Sequence, residues 1–264
     1  MSLTDLGLHS LALIAYPGLL SVLLLGLGAE WGLGRLARER AGAGLSLRHS
    51  RPGNLSLAAR LALLLAAVAA TQLAAPFNPV PAAERSTLLG AVCVAGAGWA
   101  IWSGSRGDSA RSERGPGGLL VAQLGWSLAL LGPAVAAGTF RPTAIAAIAV
   151  PLHLGLKAVA GLLYLLCLPA VLLRFSAPPV DWSERATRAA LWLPACALGT
   201  SVLLPPVGDD LAGILRFGVE TAAIALAAAV LCRLLPREGR TYRLLLVLLA
   251  ASTLGLAAFA SRLA

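Results

Sequence analysis

Charged residues are scarce in this chain. Of its 264 residues, 21 are basic and 12 are acidic, whereas 58% are hydrophobic, and nearly all the charges lie in a few short clusters. A soluble domain of this size needs a polar surface to meet water, so the composition excludes one. The mean hydropathy of +0.81 agrees. We therefore predict one membrane domain over residues 1–264, with no added soluble module.

Several chemical signatures are absent as well. The four cysteines all lie in apolar stretches without C-x-x-C spacing, which argues against a zinc site, an iron–sulfur cluster or a disulfide framework. The sequence also has no Gly-rich phosphate loop, nucleophile elbow or metal-ligand helix. We predict that the chain holds no metal, binds no redox cofactor of its own and is not a stand-alone enzyme.

What the sequence has instead is long apolar windows. Windows of about 20 residues can cross a bilayer core of roughly 30 Å. Eight are present, at 11–31, 56–75, 86–104, 118–138, 143–173, 189–205, 211–232 and 244–261. The fifth is long and contains Pro151 and Pro169, which predict a kink, tilt or break. The expected fold is an all-α polytopic membrane bundle of about eight transmembrane helices.

The distribution of arginine predicts the orientation of these spans. The connections after spans one, three, five and seven hold fifteen arginines, and the opposite side holds three. Since loops rich in Lys and Arg stay in the cytoplasm, the first group is expected there, with both chain ends outside. We predict a multi-pass protein of the bacterial cytoplasmic (inner) membrane.

The first long connection, residues 32–55, is the most basic. Its Arg35, Arg38 and Arg40 are candidates for docking a cytoplasmic partner or lipid headgroups. The alternative interpretation is a solvated loop whose arginines only set the topology. Glu30, beside Trp31 at the end of span one, is interpreted as an interfacial anchor.

A few ionisable residues lie inside the predicted spans. Lys157 is the only lysine and is expected near the middle of span five, with His153 one helical turn before it. Span seven carries Arg216 and Glu220, also four residues apart. This second pair can neutralise itself, or Glu220 can face Lys157 or His153 across the bundle and exchange a proton. We predict these four as proton-relay candidates, enough for a short relay but not a long internal wire.

Four stretches resemble a known family in order and spacing. They are AYPGLLSVLLLGLGAEWGLGRLARER at 15–40, GPGGLLVAQLGWSLALLGPAVAAGTF at 115–140, RFSAPPVDWSERATR at 174–188 and RFGVETAAIALAAAVLCRLLPREGRTYRLL at 216–245. They are similar to the H subunit (also called subunit 1) of bacterial NADH:quinone oxidoreductase, respiratory complex I. The equivalent membrane subunits of membrane-bound [NiFe] hydrogenases and formate hydrogenlyase resemble them equally.

The resemblance implies eight helices with both termini outside and a role in joining a redox arm to a membrane arm. It implies a quinone-side or coupling loop with Arg174, Asp181, Glu184 and Arg185, and quinone at an interface. The implied partners are cytoplasmic redox subunits, namely a [NiFe]-like large subunit and an iron–sulfur subunit, together with antiporter-like membrane subunits. Gln123 stands about where many relatives have a Glu, and an amide cannot release a proton. The chain is expected to be a divergent member.

Three functions stay open from the sequence. The favoured one is a non-catalytic membrane subunit of a complex I-like or energy-converting hydrogenase-like oxidoreductase. It would anchor a cytoplasmic redox module, with quinone access and proton translocation as further roles. A stand-alone transporter of small solutes or ions would instead line its path with Lys157, His153 and Glu220. A structural membrane subunit would need neither chemistry.

Overall fold

The computed structural model describes residues 3–38, 56–104, 116–173, 182–234 and 240–262, and this part of the chain is helical, with no strand. Eleven helices are present in it, which confirms the all-α membrane bundle. They are α1 (Leu3–Ile14), α2 (Leu19–Arg38), α3 (Leu57–Thr71), α4 (Thr87–Gly104), α5 (Pro116–Ala136), α6 (Pro142–Ala147), α7 (Pro151–Val171), α8 (Trp182–Ala190), α9 (Trp192–Leu203), α10 (Leu211–Leu234) and α11 (Arg240–Ala260).

Six stretches of the described chain are long and apolar enough to cross a membrane. They comprise α1 and α2 taken together, α4, α5, α7, α10 and α11. The other two predicted windows differ from expectation. The window 56–75 forms α3, of only 15 residues, and the window 189–205 is divided between α8 and α9. Pro194 explains that division, because it has no N–H to bond the carbonyl of Ala190 four residues earlier.

The first and fifth windows are also broken into two helices each. Pro17 interrupts the first window, between the end of α1 and the start of α2. The turn that joins these two helices needs glycine at position 18, because a Cβ on Gly18 would lie 2.0 Å from the Leu13 carbonyl oxygen. In the fifth, α6 and α7 are separated just before Pro151, as the proline predicts, whereas Pro169 lies inside α7. Residues that precede a proline disfavour the helical conformation.

The helices form an open ring around α9, which has no exposed residue. Each helix of the ring packs on the next, in the order α10, α2, α3, α4, α5 and α11. The first and last of these, α10 and α11, both pack against α7, which in turn packs against α9. We call the end of the bundle where α2, α4, α7 and α10 finish the Arg-rich end, because the fifteen clustered arginines lie in the last turns of those helices or in the sequence that follows them.

The opposite, Arg-poor end is held by hydrogen bonds between connections. The backbone N–H of Phe77, after α3, donates to the Asp209 carboxylate before α10 at 2.9 Å. The N–H of Thr87, at the start of α4, donates to the Phe140 carbonyl after α5 at 2.8 Å. These bonds gather the ends of several helices at one level. Along the ring α2, α3, α4 and α5 alternate in direction, whereas α10 runs parallel to α2 and α11 runs parallel to α5.

Tyr164 fastens α7 to α9 in the centre of the bundle. Its ring is fully buried and stacks on Trp126 with centroids 5.9 Å apart. Its hydroxyl donates to the Ala195 carbonyl and accepts from the Gly199 N–H, at 3.2 Å for the latter. Those two groups are partners in a regular helix, so the hydroxyl is inserted into the hydrogen-bond ladder of α9. A Cβ at Gly199 would lie 2.6 Å from the tyrosine ring.

Gly199→Ala should therefore destabilise the bundle by about 1–3 kcal/mol, because the ring and helix must move apart to admit the methyl group. Thermal unfolding of the purified chain in detergent measures the effect. Gly155→Ala, at an exposed position of α7, is the matched control, since no atom lies within 4 Å of a Cβ there. The control should melt at the same or a slightly higher temperature. Equal melting temperatures for Gly199→Ala and the parent would contradict the insertion.

Candidate functional site

An apolar groove of about 650 Å³ lies between α2, α9 and α10. It runs from Tyr16 and Pro76 near the Arg-poor end to Trp192. Exposed Leu24 and Leu226 stand at its rim. Its volume is typical of ligand sites in proteins. The groove can therefore accept a long apolar molecule from the lipid side.

A buried carboxylate lies beside Trp192, at the wall of this groove. Glu30 of α2 is 5% exposed and accepts a hydrogen bond from the Trp192 Nε1–H at 3.2 Å. The interpretation of Glu30 as an interfacial anchor is therefore wrong, because its side chain is inside the bundle. A buried carboxylate is costly unless it is hydrogen-bonded, and such groups mark functional positions in membrane proteins.

Close packing of α2 on α8 sets the position of this pair. A Cβ at Gly26, one turn before Glu30, would lie 2.2 Å from the Ala189 carbonyl oxygen, so only glycine permits the contact. Ala189 lies at the end of α8, directly before the break that precedes Trp192. The contact therefore brings Trp192 within reach of Glu30.

The acidic loop candidates are only partly described. Glu184 lies in the first turn of α8 and accepts a hydrogen bond from the Arg188 guanidinium at 2.6 Å. Arg185 is half-buried on the same helix. Arg174 and Asp181 lie outside the described residues. The structure thus places Glu184 and Arg185 at the Arg-rich end, beside α2.

The docking candidates continue the helix that carries Glu30. Arg35 and Arg38 lie in the last two turns of α2, and Arg40 is outside the described residues. At 1.5 Å per residue, Arg38 is about 12 Å beyond Glu30 along the helix. The groove, the buried carboxylate and the basic segment are thus arranged in series along α2.

Lys157 has a different position from the one expected. Because span five is two helices, Lys157 lies in the second turn of α7, and its ammonium reaches back to the preceding break. It donates to the carbonyl oxygens of Ala146 and Ile148, at 2.9 and 3.0 Å, and is 6% exposed. These carbonyls end α6, so the ammonium caps the C-terminus of a short helix.

The other three relay candidates do not join Lys157. His153 is buried, and its Nε2 has no hydrogen-bond partner among the described residues. The Arg216 Nε donates to the Glu220 Oε1 at 2.8 Å along α10. No hydrogen bond or ion pair in the described chain connects Glu220 to Lys157 or His153. Of the two arrangements that the sequence left open, the described residues show the pair along α10 and not the contact across the bundle. A proton relay stays a prediction.

Gln123 holds two helices together. Its side chain is buried, and its Nε2–H donates to the Ala95 carbonyl of α4 at 3.2 Å. A carboxylate in that position would meet a carbonyl oxygen with no proton to share. The amide therefore fits its surroundings as a neutral hydrogen-bond donor between α5 and α4.

A polar network at the Arg-poor end goes beyond what the sequence predicts. The Asn78 side chain donates to the carbonyls of Thr71 and Leu73, and Arg85 donates to the Val80 and Asn78 carbonyls. Burial lowers the pKa of Arg85. The network fixes the irregular segment after α3 that closes one end of the groove. The run of Asn, Pro and Gln in 72–81 is its only sequence signal.

The described residues contain no group of His, Cys, Asp or Glu that could hold a metal ion. Neither the protein-family models nor the curated proteins gave a match. Among solved structures, the chain is similar to one from the membrane-bound sulfane sulfur reductase, an archaeal respiratory membrane complex. The TM-score is 0.64 at 15% identity, over 97% of this chain and 99% of that one. The two chains share a fold over nearly their whole length.

The α2–α8 contact yields a test of the Glu30–Trp192 pair. Gly26→Ala should push α8 away from α2 and lower stability by about 1–3 kcal/mol. It should also shift the fluorescence emission maximum of Trp192, because the indole loses its carboxylate partner. The other tryptophans are replaced by Phe in both the parent and the Gly26→Ala chain, so that only Trp192 is observed. Gly32→Ala is the control, because no atom lies within 4 Å of a Cβ there. An unchanged spectrum for Gly26→Ala would contradict the arrangement.

Lys157→Met tests the cap on α6. Removing the ammonium leaves the Ala146 and Ile148 carbonyls without their donor, at a cost of about 1–3 kcal/mol. Amide hydrogen exchange across 142–150 should become faster. Leu154→Met, at an exposed position on the same helix, should leave exchange unchanged. Equal protection in Lys157→Met and the parent would show that the lysine does not hold the break.

Proposed function

We propose that this chain is a membrane subunit of a respiratory complex of the complex I or energy-converting hydrogenase type. The observation that carries the proposal is the shared fold, over nearly the full length of both chains, with a chain of an archaeal respiratory membrane complex. The resemblance of four ordered sequence stretches to the complex I family supports it independently. The chain contributes no redox cofactor of its own and anchors a module that does.

The redox module binds at the Arg-rich end. There the basic final turns of α2 lie beside α8, whose Glu184 and Arg188 form an ion pair. Glycine packing holds α8 against α2 and so presents a firm surface. Charged side chains on such a surface select a partner and its orientation more than they add affinity. A cytoplasmic subunit with an acidic face fits this end of the bundle.

The groove gives a membrane-soluble quinone a path toward that module. Its walls are apolar and its rim is open, which suits an isoprenoid tail. Trp192 lines the groove, and its indole bonds to Glu30. In this proposal the quinone is a ligand bound at the interface between this chain and the redox module.

Purification from native membranes in mild detergent tests the proposed function. We expect a tagged chain to co-purify with an iron–sulfur subunit and a [NiFe]-like large subunit, identified by mass spectrometry. Recovery of the chain alone, together with solute uptake by liposomes that contain only this protein, would contradict the proposal and favour a transporter. Among the described residues no hydrogen bond or ion pair joins Lys157 to Glu220, two of the residues that would line the transport path.

Replacing Arg35, Arg38 and Arg40 by Gln should weaken the attachment of the redox module. Losing three charges from one patch should lower recovery of the iron–sulfur subunit at least about tenfold at physiological salt. Arg141→Gln with Arg262→Gln, on the predicted outer side, is the control and should retain full recovery. If the triple variant also retains it, the basic segment serves only to set the topology.

A further inference from the structure

Two ionisable side chains from distant parts of the sequence meet at the Arg-poor end. His9 of α1 lies beside Glu84, in the connection between α3 and α4, and the His9 Nε2 is 2.8 Å from the Glu84 Oε2. The two side chains are 31% and 54% exposed, so both reach water. The proposed function uses neither of them.

The partners of the His9 ring determine how many protons the pair carries. Its Nδ1 is 2.7 Å from the Asp5 carbonyl oxygen, one turn back on α1, and its Nε2 faces the Glu84 carboxylate. A carbonyl oxygen and an ionised carboxylate only accept hydrogen bonds, whereas a neutral imidazole has a single N–H to donate. Both contacts are therefore hydrogen bonds only when the pair holds one proton more than a neutral imidazole and a carboxylate.

Few other charges surround this pair. In the described chain, the charged groups that act on the His9 ring are Glu84 and, on its own helix, Asp5. The helices against which α1 packs are α3 and α2, and α2 has no charged residue before Glu30. The side chains that α3 and α4 place around His9 are neutral. The Arg85 guanidinium, next to Glu84 in sequence, is bonded to backbone carbonyls.

The packing of α1 on the rest of the bundle is light. Of its residues 5–14, only Ala12 is buried. Segments with few buried apolar contacts open locally at a small cost in free energy. A single polar contact such as His9–Glu84 can therefore decide whether α1 stays in place.

His9 and Glu84 both line a cavity of about 300 Å³ at the Arg-poor end. Its other walls include Leu13 of α1 and, at the end of α3, Thr71 and Gln72. The last two are 7% and 6% exposed, and the Gln72 Nε2–H donates to the Thr71 hydroxyl at 3.0 Å. The His9–Glu84 contact thus joins two walls of the cavity, and separating them would open it to water.

We propose that His9 and Glu84 form a proton-binding site whose bound proton clasps α1 over this cavity. When the proton leaves, the Nε2 lone pair faces the carboxylate, and two acceptors cannot bond to each other. The contact then breaks, and α1 moves away from the connection. Because imidazoles titrate between about pH 5 and 8, the clasp is closed on the acid side of this range and open on the alkaline side.

The distance between α1 and the connection tests the clasp. Spin labels are attached to Leu6→Cys and Ala83→Cys, at two exposed positions, in a chain whose 4 native cysteines are replaced by alanine. Electron paramagnetic resonance in lipid nanodiscs compares about pH 5.5 with about pH 8.5, on either side of the imidazole range. The ratio of short to long distances should fall by about two- to fivefold at the alkaline pH, the range measured for exposed ion pairs.

Glu84→Gln in the labelled chain is the matched variant. A glutamine side chain offers both an N–H donor and a carbonyl acceptor, so it bonds to the His9 Nε2 whether or not that atom carries hydrogen. The two pH values should then give the same distances. His9→Gln should also remove the pH response, because glutamine does not titrate. Equal melting temperatures at the acid pH would show that both variants are folded.

Two results would overturn the inference. One is a labelled parent chain whose distances are the same at both pH values. The other is a response of the parent's size in Glu84→Gln or His9→Gln, because it would come from another group. The inference does not depend on the proposed function, which co-purification tests separately.

Discussion

The hydrocarbon core of a bilayer offers no hydrogen-bond partner, and the rest of this structure follows from that constraint. Among the described residues, most buried polar side chains are hydrogen-bonded within the chain itself. The Lys157 ammonium caps two carbonyls at a helix break, Tyr164 is inserted into the ladder of α9, and Gln123 bonds to α4. The Glu30 carboxylate accepts from Trp192. The exceptions, among them His153 and Glu220, are therefore the informative positions.

Small residues make these bonds possible. Gly26 lets α8 approach α2, and Gly199 lets the Tyr164 ring approach α9. In each case a methyl group would separate two helices that must touch for a polar group to find its partner. Glycine in a membrane helix is thus linked here to hydrogen bonding as well as to close packing. The same contacts set the position of the groove wall at Trp192.

Much of the fold is predictable from the sequence. The apolar windows mark where the helices lie, and Pro151 marks the break between α6 and α7. The short lengths of α3 and α9 are harder to predict, because hydropathy does not show where a helix ends inside an apolar stretch. Candidate residues are harder still. The sequence predicts Lys157 near the middle of a span, but the break moves it to a second turn and gives it backbone partners. Sequence position alone puts Glu30 at the interface, because it does not reveal that Trp192, 162 residues away, faces it.

A cytoplasmic redox module, as proposed, can bind only to an end of the bundle that faces the cytoplasm, so the side of the membrane on which the Arg-rich end lies is decisive. Labelling of introduced cysteines in intact cells with a membrane-impermeant maleimide measures this directly, with the parent chain as control. Ala83→Cys, on the exposed Arg-poor connection, should label in intact cells. Ser105→Cys, in the basic connection after α4, should label only after the membrane is permeabilised. The reverse pattern would place the arginines outside and contradict the account.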